Sequence, residues 1–337
     1  MKKKILIIGG AGFIGHNLAV FLKKNNFNVL TADSLEVNNF GHVKKNVKDN
    51  FKRKLYFSFL KERLHLLKKN KIKLKKIDAR NKKSVENIVK KYKPDFLIHL
   101  AAVSHDNRSN DNPNDAFENS FKTLFNSLEA IKHIKKTHII YFSSSMVYGT
   151  FKKSVVREND NCDPIGIYAS LKLSAEKLIK SYSNVFSINY TIVRPSALYG
   201  ERCISNRVIQ VFLENAFQNK KITIKGKGND KLDFTYINDL CHGVKQIINK
   251  KRNSTNQIFN LTYGLGRSIN NLKDLLLDKF NNQKIEYLPW DKLVPKRGTL
   301  STDKAKKRIN FTAKFKLEKG FEQYYKWYKH KVNEIRK

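Results

Sequence analysis

Cysteine and acidic side chains are both scarce in this 337-residue chain, and each scarcity removes a class of answer. Its three cysteines, Cys162, Cys203 and Cys241, are widely spaced and form no CxxC pair. That excludes a disulfide framework and a zinc cluster, so the chain reads as a metal-free protein of a reducing cytoplasm. No apolar run is long enough to span a bilayer. The N-terminal run is short, carries a glycine turn and lacks a small-residue cleavage site, so it reads as a first strand rather than a signal peptide. There is also no internal repeat and no low-complexity linker, which favours interleaved units over separate beads.

The shortage of acid leaves 67 Lys and Arg against 29 Asp and Glu, a formal net charge of +38. A surplus of this size raises nucleic acid or an anionic membrane as a partner. Its distribution argues against both, because lysine recurs with asparagine through nearly every segment instead of gathering in one basic arm. The expected partner is a small anion such as a nucleotide diphosphate, drawn by the overall positive field.

Lys3 to Ile8 reads as a buried strand running into Gly9-Gly10-Ala11-Gly12-Phe13-Ile14-Gly15 and then a helix. In such a turn Gly9 permits the tight bend, Gly12 lets backbone approach a pyrophosphate and Gly15 lets helix and strand pack closely. A second apolar run, Val29 to Ala32, ends at Asp33, whose carboxylate is placed to accept both hydroxyls of an adenosine ribose. Together they point to NAD.

Strand-like segments at 4–8, 27–32, 72–77, 95–100, 138–143 and 188–193 alternate with helix-like stretches at 13–24, 82–92, 115–134 and 168–183. This rhythm predicts a Rossmann-type, doubly wound parallel sheet, with a smaller interleaved α/β substrate-binding domain beyond it. The expected division is a cofactor domain over 1–180, joined by about 234–262, and a substrate domain over 181–233 and 263–337. Residues 39–71 interrupt the rhythm and read either as a substrate-side lid or as a solvated amphipathic connection. Over 315–332, Phe321, Tyr324, Tyr325, Trp327 and Tyr328 are spaced to pack a helix on a core.

The strand Ile139 to Phe142 delivers Ser143-Ser144-Ser145 to the sheet's carboxyl edge, where doubly wound folds place ligands. Farther on, Tyr168 and Lys172 stand four apart on one helix face. An ammonium beside a phenol favours the phenolate. That phenol can then exchange a proton with a sugar hydroxyl while hydride moves between the same carbon and a nicotinamide. Ser144 would hydrogen-bond the reacting oxygen, and Lys172 could also hold the nicotinamide ribose.

With these residues in order, the chain resembles the extended short-chain dehydrogenase/reductase family, in its NAD-dependent nucleotide-sugar epimerase/dehydratase branch. The matching elements are Gly9 to Gly15, Ile77-Asp78 with Arg80, Leu100-Ala101-Ala102, Phe142 to Gly149, Tyr168 to Lys172, Arg194-Pro195 through Gly200, Asp233 to Tyr236 and Phe259 to Leu261. The resemblance implies that Asp78 and Ala79 lie beside adenine, Ala101 and Ala102 along the dinucleotide, and Pro195 near nicotinamide. It assigns catalysis to Ser144, Tyr168 and Lys172, the latter two also contacting cofactor. It further implies a nucleotide-sugar substrate and a homodimer built on helices like 115–134 and 168–183.

Departures from the family narrow the reaction. The stretch Ala102 to Ser109 is similar to a loop of dTDP-glucose 4,6-dehydratases that faces cofactor and sugar, which makes Ser104 a substrate candidate beside Ser144 and Ser145. Those dehydratases carry an acidic residue immediately before Val-Tyr-Gly, where this chain has Met146. Removing water across C5 and C6 needs an acid and a base, and Met146 is neither, so His105, Asp106 or another residue would have to substitute. A 4-epimerase asks only for oxidation at C4, rotation of the keto sugar and hydride return. A nucleotide-4-keto-sugar reductase needs the second half alone, and an NAD-binding scaffold needs neither.

Leu232 and Ala197 replace the Arg and Asn that many relatives use to anchor substrate, leaving Arg207, Lys231 and Arg297 as candidates for the diphosphate. If Asp33 reads the ribose, a 2′-phosphate meets a like charge there. Titration should therefore show NAD binding much more tightly than NADP, and equal dissociation constants would reject that role for Asp33.

Overall fold

A computed structural model describes residues 2–102, 106–291 and 294–337, with backbone only at 106–108. Seven strands form one sheet: β1 (Lys4–Ile8), β2 (Asn28–Asp33), β3 (Lys73–Lys76), β4 (Phe96–His99), β5 (His138–Phe142), β6 (Asn189–Arg194) and β7 (Gln257–Asn260). Their spatial order is β7-β6-β5-β4-β1-β2-β3 and every pairing is parallel. The chain winds outward from β1 to β3, then returns beside β1 as β4 and winds the other way. That reversal opens a crevice at the carboxyl ends of β1 and β4.

Burial follows from covering both faces. Along β1, Ile5 and Ile7 join one apolar cluster while Leu6 and Ile8 join another, the two-residue period of a strand with helices on both sides. The first cluster takes in helices Phe13–Lys24 and Ile237–Asn249, and the second takes in Lys82–Tyr92, Thr123–Ile131 and Ile167–Phe186. The edge strand β3 carries Lys73, Lys75 and Lys76, exposed charges of the kind that discourage edge-to-edge pairing.

Residues 39–71 pack one face against the core instead of running solvated. Within the helix Asn50–Lys69, Leu55, Tyr56, Phe59, Leu60 and Leu67 are buried, and Phe59 meets Tyr328 edge-on with ring centres 5.6 Å apart. Tyr328 lies on the helix Leu317–Arg336, where Phe321 and Tyr324 are also buried, as the aromatic spacing predicts. The single helix expected over 115–134 is instead Pro113–Ala116, a π-helical turn Phe117–Lys122, and Thr123–Ile131. Residues 189–194, which a division at 180 assigns to the second unit, form β6 of the main sheet.

Two short pairings tie the second unit together, Ile222–Lys225 with Ile285–Leu288 and Lys231–Leu232 with Arg267–Ser268, and a third, Thr299–Leu300 with Val155–Val156, joins it to the residues before 180. Asp233 fastens this unit to the sheet, accepting hydrogen bonds from the Thr262 hydroxyl at 3.0 Å and from the Gly264 and Leu300 amides at 3.1 and 3.2 Å. Among the described residues no helix is long and apolar enough to cross a membrane.

Three buried histidines give the fold a pH dependence. Burial holds His99 and His138 down to about 3, and it holds His16 well below its ordinary value. Unfolded histidine takes up a proton below about 6.5 while these stay neutral, so each withdraws about 1.4 kcal/mol of stability per pH unit as pH falls further. Asp233, raised to about 6 by burial, and Glu158 and Asp239, also raised by burial, act in the opposite sense, but as carboxyls with low ordinary values they take up protons over the lower part of this range, while His242, lowered by burial, adds to the histidine effect. Thermal melting should therefore occur at lower temperature at pH 5 than at pH 7, and an unchanged or higher midpoint at pH 5 would contradict this.

Candidate functional site

The glycine turn closes on itself at van der Waals limits. Gly9 takes φ +87° and donates to the Ala32 carbonyl at 2.8 Å. A Cβ on Gly15 would lie 2.2 Å from the Gly9 carbonyl oxygen, and one on Gly10 would lie 2.4 Å from Thr31 Cβ. Gly12 differs, since a Cβ there would meet only Gly9 O at 3.2 Å and Asn38 Nδ2 at 4.0 Å. Its missing side chain leaves room on the cleft side, at the N-terminus of the helix Phe13–Lys24.

A cleft of about 710 Å³ opens from this turn. It brings together Gly9, Gly12, Phe13, Ile14, Gly15, Asp33, Asp78, Ala79, Ala101 and Ala102, all expected along a dinucleotide. Arg207 lines it too, with its buried Nε lacking a hydrogen-bond partner among the described residues and its guanidinium carbon 5.9 Å from the Phe13 ring centre. Asp33 is only 7% exposed and is already engaged, accepting from the Ala11 amide at 3.0 Å and the Leu35 amide at 2.8 Å. Asp78 is held by the Arg80 guanidinium, which donates to both its oxygens and keeps its carboxyl below the usual range.

Several lining residues escaped sequence reasoning: Asn38 just before the 39–71 segment, Tyr56 and Arg63 within it, and Asn119 and Thr123 from the π-helical turn and its exit. Asn126 donates to the Ala79 and Arg80 carbonyls, both at 2.9 Å, and so fixes the loop carrying Asp78.

At the carboxyl ends of β5 and β6 a second cluster assembles from Ser144, Ser145, Tyr168, Lys172 and Pro195. Lys172 is 6% exposed and its Nζ donates to the Phe142 carbonyl at 2.8 Å. The same ammonium lies 5.8 Å from the Tyr168 ring centre and 5.0 Å from that of Tyr141. Burial lowers the Lys172 pKa to about 8, against the opposing charge of Glu176. Ser144 caps the short helical turn Ser145–Tyr148 by accepting from the Met146 amide at 3.2 Å. The Ser145 amide donates to the Pro195 carbonyl at 3.0 Å, joining the two strand ends. Behind them Arg194 pairs with Glu176 at 2.6 Å, both buried.

The remaining substrate candidates do not converge. Lys231 is exposed in its two-residue strand, and Arg297 sits in a turn whose Lys296 carbonyl accepts from the Phe151 amide; neither lines the cleft. Ser104 and His105 lie outside the described residues, as does the Asp106 side chain. Among the described residues no group of three or more His, Cys, Asp or Glu is placed to hold a metal ion.

Comparison with known proteins bears on this geometry. The family model described as "NAD dependent epimerase/dehydratase family" matches residues 5–262. The chain is 31% identical over 268 residues to a dTDP-D-glucose 4,6-dehydratase of Dictyostelium discoideum, covering 74% of this chain but spanning only 56% of that relative. It is 28% identical over 333 residues to a UDP-glucuronate 4-epimerase of Thermodesulfobacterium geofontis, covering 98% of each. Among solved structures, a UDP-glucuronic acid 4-epimerase from Bacillus cereus, in complex with UDP-glucuronic acid and NAD, superposes with a TM-score of 0.82 at 25% identity, over 97% of this chain and 99% of that one.

The glycines separate packing from binding. Gly15→Ala should lower the melting temperature and abolish cofactor retention together, because its methyl group has only backbone to displace. Gly12→Ala, whose methyl group would press only on the Gly9 oxygen, should lose much less melting temperature than Gly15→Ala while still weakening cofactor binding. Melting curves with absorbance of released cofactor check this, and equal melting losses in both variants would contradict it.

Proposed function

Because the chain belongs to the NAD-dependent epimerase/dehydratase family, we propose that it is a nucleotide-sugar epimerase acting through transient oxidation at the sugar C4. The observation that carries this reading is the buried Lys172 ammonium, tied to the Phe142 carbonyl and set beside Tyr168 in a cluster whose neighbour Met146 supplies no acid. The cleft suits NAD, since its glycine turn presents helix N-terminal amides, Gly12 leaves space there and Asp33 stands at the end of β2. When bound, NAD supplies the hydride acceptor at C4 and the donor that restores it.

The side chains of this chain do the rest. Tyr168 takes the proton of the C4 hydroxyl and later returns it to the 4-keto oxygen. Lys172 favours the phenolate from beneath, and Ser144 donates to the reacting oxygen as charge develops there. Arg207, lining the same cleft beside Phe13, offers to a diphosphate an Nε that has no hydrogen-bond partner among the described residues. Elimination of water from C5 and C6 would need an acid and a base where Ser145 and Met146 stand, which places the dehydratase reading second.

In this reading the second unit receives the nucleotide. The exposed Phe117, Phe125, Ile167 and Val185 lie on the helical elements expected to form a homodimer.

Freshly purified protein should release NAD on denaturation. Incubated with UDP-, GDP-, CDP- and dTDP-sugars, it should exchange isomers without net redox consumption. An empty site with stoichiometric NAD(P)H oxidation only in the presence of a keto sugar would instead make it a reductase. Tyr168→Phe should keep its fold and its NAD while losing turnover by about 10²-fold or more. Lys172→Met should move the acid limb of kcat/KM to higher pH, because the phenolate loses its cation. Unchanged turnover in Tyr168→Phe would remove the acid/base assignment.

A further inference from the structure

Arg63 is a charged side chain where the pattern of its helix calls for an apolar one, since it shares the buried face of Asn50–Lys69 with Phe59 and Leu67. It is 1% exposed, lines the cleft and, among the described residues, makes no ion pair. Four of its five N–H donors are nonetheless used. Nη1 donates to the Ala11 carbonyl of the glycine turn at 3.2 Å and to Asn38 Oδ1 at 3.0 Å, while Nε and Nη2 donate to the Arg202 carbonyl at 3.0 and 2.5 Å. Burial lowers its pKa to about 10 and the charge of nearby Asp33 opposes that fall, so the guanidinium stays ionised at neutral pH.

The chemistry of the partners sets the direction of this chain of bonds. A guanidinium only donates, so the Asn38 oxygen must face Arg63. The Asn38 amide nitrogen then faces Asp33, an acceptor only, at 3.4 and 3.5 Å from its two oxygens. Asn38 therefore has one usable orientation, imposed from the Arg63 side. Leu35, whose amide completes the hold on Asp33, and Arg202, whose carbonyl receives the Arg63 fork, both take left-handed φ, +60° and +63°. Side-chain-bearing residues adopt that region where their surroundings hold them in it.

We propose that Arg63 is a positioning residue for the cofactor: through Asn38 it orients the Asp33 carboxylate toward the adenosine 2′-hydroxyl, while its bond to the Ala11 carbonyl holds the glycine turn against the same carboxylate. This rests on the reading of Asp33 as the ribose acceptor. Recognition of the ribose then depends on a helix inserted after the strand that carries Asp33, so the 39–71 segment serves as a wall of the cofactor site.

The test measures dissociation constants of the full chain, freed of cofactor, for NAD and for its analogue with 2′-deoxyadenosine. Wild type should prefer NAD by about tenfold, the worth of one hydrogen bond to a charged group. Arg63→Met and Asn38→Leu should each bring that preference close to unity, and the double variant should lose no more. Asn38→Leu keeps the question open to measurement if Arg63→Met fails to fold. Equal weakening of both ligands in the variants, or an intact preference in Asn38→Leu, would overturn the proposal and leave Arg63 a packing residue. A wild type without the preference would remove the Asp33 reading itself, which separates the two failures.

Discussion

One hydrogen bond, from a buried ammonium to the last carbonyl of a central strand, organises the end of the sheet to which we assign the reaction. Among the described residues Lys172 makes no ion pair; what holds it is the Phe142 oxygen at 2.8 Å. That bond draws the first turns of the helix Ile167–Phe186 over the end of β5, and so sets Tyr168 near the serines that follow the strand. The neighbouring acid, Glu176, is committed to Arg194, which also donates to the Glu158 carbonyl. The lysine charge is thus left for the phenol instead of being spent in an ion pair. A buried charge of this kind is costly, and sites that carry out chemistry are where such costs are tolerated.

The cofactor end is held by a different device, a mesh of side chains from segments distant in sequence. Arg202 donates to His16 Nε2, to Asn17 and to Glu62, and Glu62 is also paired with Lys331 of the C-terminal helix. His16 reaches back with Nδ1 to the Gly12 carbonyl at 2.7 Å. Because Nε2 accepts from Arg202, the proton must sit on Nδ1, the neutral tautomer that burial also favours. The glycine turn is accordingly braced from its own helix, from the 50–69 helix and from the C-terminal helix together. A turn so braced suits a cofactor that stays in place through many turnovers.

What could be read in advance was whatever a local pattern encodes. The strand and glycine spacing at 4–15, the carboxylate at Asp33, the Tyr168–Lys172 pair and the aromatic face of 317–336 are all written within a few turns of chain. Arg63, Asn38, Tyr56 and Asn126 were not legible because their roles come from contacts far along the sequence: Arg63 to Arg202, Asn126 to Ala79, and Tyr56 to Asn206 and to the buried Glu214. A signal for Arg63 was present all the same, in a charge set four residues from Phe59 and four from Leu67 on an otherwise apolar face. Of the three basic candidates for the diphosphate, Arg207 lines the cleft while Lys231 and Arg297 do not.

The most direct test of the central claim follows the hydrogen at C4. Nucleotide sugars carrying deuterium at that carbon, incubated with the holoenzyme in ordinary water, should yield the epimer with the label still at C4 and none in external NADH or solvent. Loss of deuterium to solvent, or its appearance in added NAD, would mean that the removed hydrogen is not returned within the closed site, and would contradict transient oxidation at C4.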